Sequence, residues 1–224
     1  MAHDVHDPIS PKQFHAAEGV EDWRIVGDGA CASFRTGLFA VGARLVQAIA
    51  QLPGLTSHRP DIDLRHNTVT VRLITFVPGF FGMSQRDVEM AQQISAAAKK
   101  LGIAADPSAV QNIQVSIDSR VGADVLPFWR AVLGYESRGD EPGDLVDPRE
   151  RGPLVYSQRL DVSHARHNQI HLDIWVAHDR ADERIAAALA AGGKLVTNEN
   201  APSWTTLEDA QGNRVCVCTW RRRE

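Results

Sequence analysis

Two successive stretches of this chain run through the same order of elements, and that order limits the folds open to its second half. Ile113, Val115 and Ile117 alternate with Asn112, Gln114 and Ser116 as a half-buried strand requires. A helix is predicted from about Gly122 to Leu133, stopped at Gly134, with strand-like stretches near Asp144–Val146 and Leu154–Gln158. The order then repeats: a strand at Gln169–Ala177, a helix at Asp182–Ala191 closed by Gly192-Gly193, and short strands to Trp220. These two units of ~50–60 residues form a weak internal repeat, carried by element order rather than by sequence identity.

The first half follows another pattern. Ser10-Pro11 reads as an N-cap and a first-turn proline opening a helix to about Glu18. Trp23 to Phe34, with Gly27 and Gly29, reads as a hairpin. Leu38, Val41, Leu45, Ile49 and Leu52 recur at helical spacing, so Gly37–Leu52 is predicted helical, ending at Pro53-Gly54. Thr68 to Thr75 alternates as a half-buried strand that Pro78-Gly79 breaks. Ser84 and Asp87 have the spacing of a capping box for a helix to about Leu101. Residues 105–110, with Pro107, are expected as a linker between domains at 1–104 and 111–224.

The net charge of −4 offers no basic field for nucleic acid, and Arg221, Arg222 and Arg223 read as a solvated tail. No apolar run approaches the ~18 residues of a membrane span, and Met1-Ala2-His3-Asp4 does not look like a signal peptide. Three cysteines, Cys31, Cys216 and Cys218, do not make a disulfide framework. A cytoplasmic protein is expected, with no nucleic-acid or membrane partner.

The segment Ser57-His58-Arg59-Pro60-Asp61, the strand after it, and Gly82-Met83-Ser84-Gln85-Arg86-Asp87 resemble the pterin-4a-carbinolamine dehydratase family. That family carries a His-His-Pro turn, a histidine at the end of the next strand, and Gly-Leu-Ser-x-Arg-Asp opening the last helix. The resemblance implies an α+β domain, a four-stranded antiparallel sheet with helices on one face. It also implies a reaction that removes water from a 4a-hydroxytetrahydropterin to give the quinonoid dihydropterin. One proton must reach the leaving hydroxyl and one must leave the ring nitrogen, work suited to histidine near neutrality. His58 matches the first family histidine; Arg59 stands at the second and Phe76 at the third. Arginine stays protonated and can only anchor or polarise. The expected catalytic set is His58 for proton transfer, Arg59 as anchor and Asp87 as orienting carboxylate, with Pro60, Asp61 and Phe76 binding substrate. His66 is a candidate to replace a missing histidine.

Pro127-Phe128-Trp129 with Leu133-Gly134-Tyr135, Ile170-His171-Leu172-Asp173-Ile174, and Glu208-Asp209-Ala210-Gln211-Gly212-Asn213 resemble the glyoxalase and bleomycin-resistance group, the vicinal-oxygen-chelate fold. The resemblance implies two βαβββ units whose sheets form a cup, often around a divalent metal. Alternation places Ile170, Leu172, Ile174 and Val176 on the apolar face and His171, Asp173 and Trp175 in the cup; Cys216 and Cys218 lie opposite Val215 and Val217. The family's metal positions are best matched by Asn112, Gln158, His171 and Cys216, a set that is poor for a hard cation, so neither a metal nor any other cofactor is expected. His171, Asp173, Trp175 and Trp204 are expected instead to bind a small organic ligand, and Trp129 to be core. The expected protein is a dehydratase with a small-molecule-binding second domain, taking a pterin and forming a homodimer. The alternatives are a non-catalytic pterin or small-molecule binding protein, or a metal-dependent glyoxalase-type lyase or dioxygenase centred on His171.

Overall fold

A computed structural model describes residues 7–56, 58–77, 80–119, 126–138, 141, 143–159, 170–208 and 214–222. The chain divides into two compact units, one reaching Val110 and one over Gln111–Arg222.

In the first unit Ser10 caps α1 (Pro11–Ala16). Its hydroxyl accepts from Gln13 N at 3.2 Å, and the Gln13 side chain accepts from Ser10 N at 2.8 Å. That reciprocal cap satisfies two amide donors left unpaired at a helix start. The predicted hairpin is β1 (Arg24–Val26) and β2 (Gly29–Arg35), joined by two residues, of which Gly27 has φ +67°. A side chain there would be strained. α2 (Phe39–Ile49) is shorter than predicted, because Gly37 takes φ +68° and Leu38 is extended. Gly42, Leu45 and Ile49 are its buried face.

β3 (Asp61–Leu64) and β4 (Thr68–Leu73) follow. The short ribbon of β5 (Thr75–Val77) and β6 (Phe80–Gly82) then leads into α3 (Gln85–Lys100) and β7 (Ala104–Ala105). The sheet is antiparallel in the order β1-β2-β4-β3, with β7 also on β2, so it has five strands where four were expected. Residues 105–110 are therefore folded onto this unit. Ala105 pairs with Phe34, and Asp106 caps a turn of 3-10 helix at Pro107–Ala109 by accepting from Ser108 N at 3.1 Å. Proline is tolerated there because the first turn needs no donor from it.

Val69, Val71 and Leu73 are buried on β4 while Thr68, Thr70 and Arg72 are half-buried, the alternation the sequence shows. They join Phe14, Trp23, Phe34, Leu45, Ile49 and Ile94 in a core where each side chain contributes about 1.5–3 kcal/mol. The Trp23 indole donates to Ser95 Oγ at 3.0 Å, so its burial leaves no donor unmatched.

The second unit is an eight-stranded sheet. Its strands and helices are β8 (Gln111–Ser119), α4 (Leu126–Leu133), β9 (Glu136–Ser137), β10 (Asp144–Val146), β11 (Leu154–Arg159), β12 (Ile170–Val176), α5 (Ala181–Ala190), β13 (Lys194–Thr197), β14 (Trp204–Glu208) and β15 (Arg214–Cys218). The order β13-β14-β15-β12-β8-β11-β10-β9 gives the same pairing twice. In each half the first strand pairs parallel with the last, β8 with β11 and β12 with β15, and β8 joins β12 antiparallel in the middle. The start of the helix predicted from Gly122 and the Asp209–Asn213 segment lie outside the described residues.

One face of this sheet packs on helices. Ile117, Leu145 and Val155 bury with Leu126, Trp129 and Leu133 in one half; Val176, Leu207 and Val217 bury with Ala181, Ile185 and Ala188 in the other. Trp129, expected as core, is partly buried against the Ile117, Leu145 and Val155 cluster. Ile113 and Leu172 share the apolar phase yet stay about two-fifths exposed, because neither belongs to either helix-covered cluster.

Candidate functional site

β4 ends at Leu73, and the same two-residue phase carries on to Thr75, which puts a hydroxyl where the alternation calls for a core residue. Thr75 lies beside the start of α3, where the Ser84–Asp87 spacing operates as a cap. The Asp87 carboxylate is fully buried, and its Oδ2 accepts from Ser84 N at 2.7 Å. Oδ2 also lies 2.8 Å from Thr75 Oγ1 and 3.0 Å from Ser84 Oγ, and the two hydroxyl oxygens are 2.6 Å apart. Both hydroxyls are placed to donate to the carboxylate, and two hydroxyl protons serve these three contacts, so two of them at most are hydrogen bonds at once. The position in the first turn also favours a negative charge.

Asp87 Oδ1 faces His58, whose Nε2 is 2.9 Å away. The pair is within ion-pair distance, but neither atom has a well-aligned hydrogen bond. His58 is 8% exposed and its backbone N donates to Gly54 O at 3.0 Å, so the turn before β3 presses the imidazole against α3 with one small window to solvent. A buried carboxylate beside an imidazole orients the ring and stabilises the imidazolium formed when the ring takes a proton.

The other expected residues of this unit are placed differently. Arg59 is exposed and Pro60 half-buried. Asp61 pairs with Arg72 across the sheet at 3.4 Å. Phe76 takes the opposite phase from Thr75, is 58% exposed, and stacks edge-on against Phe81 with ring centres 5.6 Å apart. His66 is exposed in the β3–β4 turn, at the far end of β4 from Thr75, roughly 20 Å along an extended strand.

In the second unit the face opposite the helices gathers polar and aromatic side chains. Register sets His171 beside Ser116, Asp173 between Gln114 and Cys216, Trp175 between Asn112 and Cys218, and Thr206 beside Cys216. Trp204 is level with Cys218 on the same face and half-buried. Trp175 is buried, and its indole donates to Gln114 Oε1 at 2.6 Å. The Tyr156 hydroxyl donates to Asp173 Oδ2; burial, then the Asp173 charge, pushes that phenol well above its ordinary range. His171 Nε2 is 3.4 Å from Asp173 Oδ1. Asp173, then Cys216, pushes the imidazole up to about 10.

His171, Asp173 and Cys216 bring three possible metal-donor atoms within 4.8 Å of one another. Of the positions expected from the fold, Asn112 has its amide oxygen engaged by Ile113 N at 2.8 Å, and the Gln158 side chain lies outside the described residues. Sequence reasoning missed Thr75 and Tyr156. Both were marked by alternation, Thr75 as a polar residue in a core phase and Tyr156 as the residue opposite Val155.

Residues 7–97 match the family model described as pterin 4 alpha carbinolamine dehydratase, and residues 114–218 match that of a glyoxalase-like domain. A Nocardia farcinica protein named for pterin-4-alpha-carbinolamine dehydratase is 33% identical over 84 residues, 38% of this chain and 86% of its own length. Its Mycobacterium tuberculosis H37Rv namesake is 32% identical over 89 residues, 39% of this chain and 93% of its own. One solved structure, a glyoxalase/bleomycin resistance protein/dioxygenase superfamily member from Vibrio splendidus, covers 49% of this chain and 98% of its own at 13% identity. The TM-score is 0.33. A buried Ser-Thr-Asp cap holding a histidine, on an antiparallel sheet, is the class of site the first unit defines. The chain belongs to the pterin-4a-carbinolamine dehydratase family, with a glyoxalase-like domain following in the same polypeptide.

Proposed function

We propose that the first unit is a hydro-lyase that dehydrates a 4a-hydroxytetrahydropterin to the quinonoid dihydropterin. The observation that carries this reading is His58 held 2.9 Å from a fully buried Asp87, at the family's motif positions. His58 takes the proton from the ring nitrogen and delivers a proton to the 4a-hydroxyl, which leaves as water; the net change is loss of one water, with no redox step. Asp87 holds the ring and offsets the imidazolium charge. Arg59, exposed on the same turn, anchors the pterin from solvent, and Pro60 and Asp61 shape the turn that delivers both residues. Self-association as a homodimer belongs to the same reading.

For the second unit, the twice-repeated pairing supports two βαβββ units of the glyoxalase type. Its polar, aromatic face supports binding of a small organic ligand by His171, Asp173, Trp175 and Trp204.

The test is dehydration of freshly generated 4a-hydroxytetrahydropterin by the full chain, followed by absorbance against the spontaneous rate. Acceleration that His58→Ala abolishes supports the reading. No acceleration by folded protein overturns it in favour of a pterin-binding protein, a reading the exposure of Phe76 at the third histidine position favours.

A further inference from the structure

We propose that Cys216 is a nucleophilic thiol oxidised by a small hydroperoxide, with His171 as its proton partner and Asp173 as the carboxylate that orients that ring. The three side chains come from the adjacent parallel strands β12 and β15. Asp173 is directly opposite Cys216 in the register, and His171 lies two residues before Asp173 on the same face. An imidazole nitrogen, a carboxylate oxygen and the sulfur lie within 4.8 Å of one another. A nucleophile beside a base, with a third group orienting the base, is the arrangement by which proteins activate a thiol.

Each group is held by the next. Tyr156 donates its hydroxyl to Asp173 Oδ2, which leaves Oδ1 to face His171 Nε2 at 3.4 Å. Asp173, then Cys216, raises the affinity of His171 for a proton. On the neighbouring strand β14, Thr206 Oγ1 lies 3.4 Å from the Cys216 sulfur. The other two cysteines have different surroundings. Cys31 is as exposed as Cys216, at 8%, but burial pushes its thiol up to about 11. Cys218 is more deeply buried, with its sulfur 3.8 Å from the Cys216 carbonyl oxygen. Thiolate character and access decide which cysteine reacts.

With hydrogen peroxide, the sulfur attacks one oxygen; an S–O bond forms and the O–O bond breaks. The thiol proton, taken up by His171, goes to the departing oxygen, which leaves as water, and Cys216 becomes a sulfenic acid. The sulfur is oxidised by the two electrons that reduce the peroxide, and no further oxidant is needed. The small opening over Cys216 and His171 admits a molecule of this size more readily than a bulky electrophile. The site is separate from the His58–Asp87 pair and does not depend on the dehydratase reading.

The test exposes the reduced full chain, with a chelator present, to hydrogen peroxide near neutral pH. Sulfenic acid is trapped with dimedone and read by mass spectrometry at each cysteine. Cys216 is expected to label at least about tenfold faster than Cys31, its match in exposure, and than Cys218. His171→Gln and Asp173→Asn are each expected to slow Cys216 by about tenfold and leave the Cys31 and Cys218 rates unchanged, a pattern that loss of packing would not give. Labelling of Cys216 no faster than Cys31 in the folded wild-type protein overturns the proposal without recourse to any variant. So does a Cys216 rate that neither substitution changes.

Discussion

The Nε2 of His58 stands 2.9 Å from Oδ1 of Asp87, in a part of the first unit where the carboxylate has no contact with solvent and the histidine almost none. Asp87 has its other oxygen tied to the start of α3 and to Thr75, so the carboxylate cannot swing away from the ring. That fixed partner separates His58 from an ordinary turn histidine.

Asp87→Asn keeps an oxygen acceptor for Ser84 N but removes the charge opposite His58. Dehydratase turnover is expected to fall by about 10²-fold, the usual scale of a general acid–base contribution. The circular dichroism spectrum should be unchanged. Turnover within twofold of wild type would remove Asp87 from the mechanism.

Thr75 and Phe76 are neighbours with opposite fates, and substitution should separate them. Thr75→Val leaves buried oxygens short of a donor and is expected to cost about 1–3 kcal/mol in urea unfolding, with Thr75→Ser recovering most of it. Phe76→Ala loses an exposed edge-on contact with Phe81 and should cost no more than about 1 kcal/mol.

Gly42 sits where α2 meets the sheet. A Cβ built there would lie 2.5 Å from Leu64 Cδ1 and 3.1 Å from Val69 Cγ2. The Leu64 tip can move, but the buried, branched Val69 cannot move as readily. Gly42→Ala is expected to destabilise the first unit by about 1–3 kcal/mol despite alanine's better helix propensity. A rise in thermal midpoint would show that the packing is looser than the distances indicate.

His171 gives the second unit a pH dependence of definite sign. Its folded pKa, about 10, lies above the ordinary 6.5, so the folded state holds a proton that the unfolded state releases between those values. The stabilisation is complete below about pH 6.5 and is lost as pH rises towards 10. Urea midpoints measured across that window should fall, and His171→Gln should flatten the fall.

Much of this molecule was legible in the sequence because it depends on neighbours along the chain. Ser10 with Gln13 and Ser84 with Asp87 cap their helices through contacts three residues apart. Alternation assigned His171, Asp173 and Trp175 to the face opposite the helices. Carried two residues past Leu73, it also separates buried Thr75 from exposed Phe76.

The tertiary structure decided what pairing across the sheet and chain reversal bring together. It laid Ala104–Ala105 along β2, where their backbone donors and acceptors find partners. It carried the turn at His58 to the helix that starts at Ser84, and it set Asp173 opposite Cys216 with Tyr156 within reach of the carboxylate. Sequence spacing gives the period of a strand and the cap of a helix; which strands lie side by side, and in what register, is fixed by non-local packing of their buried faces.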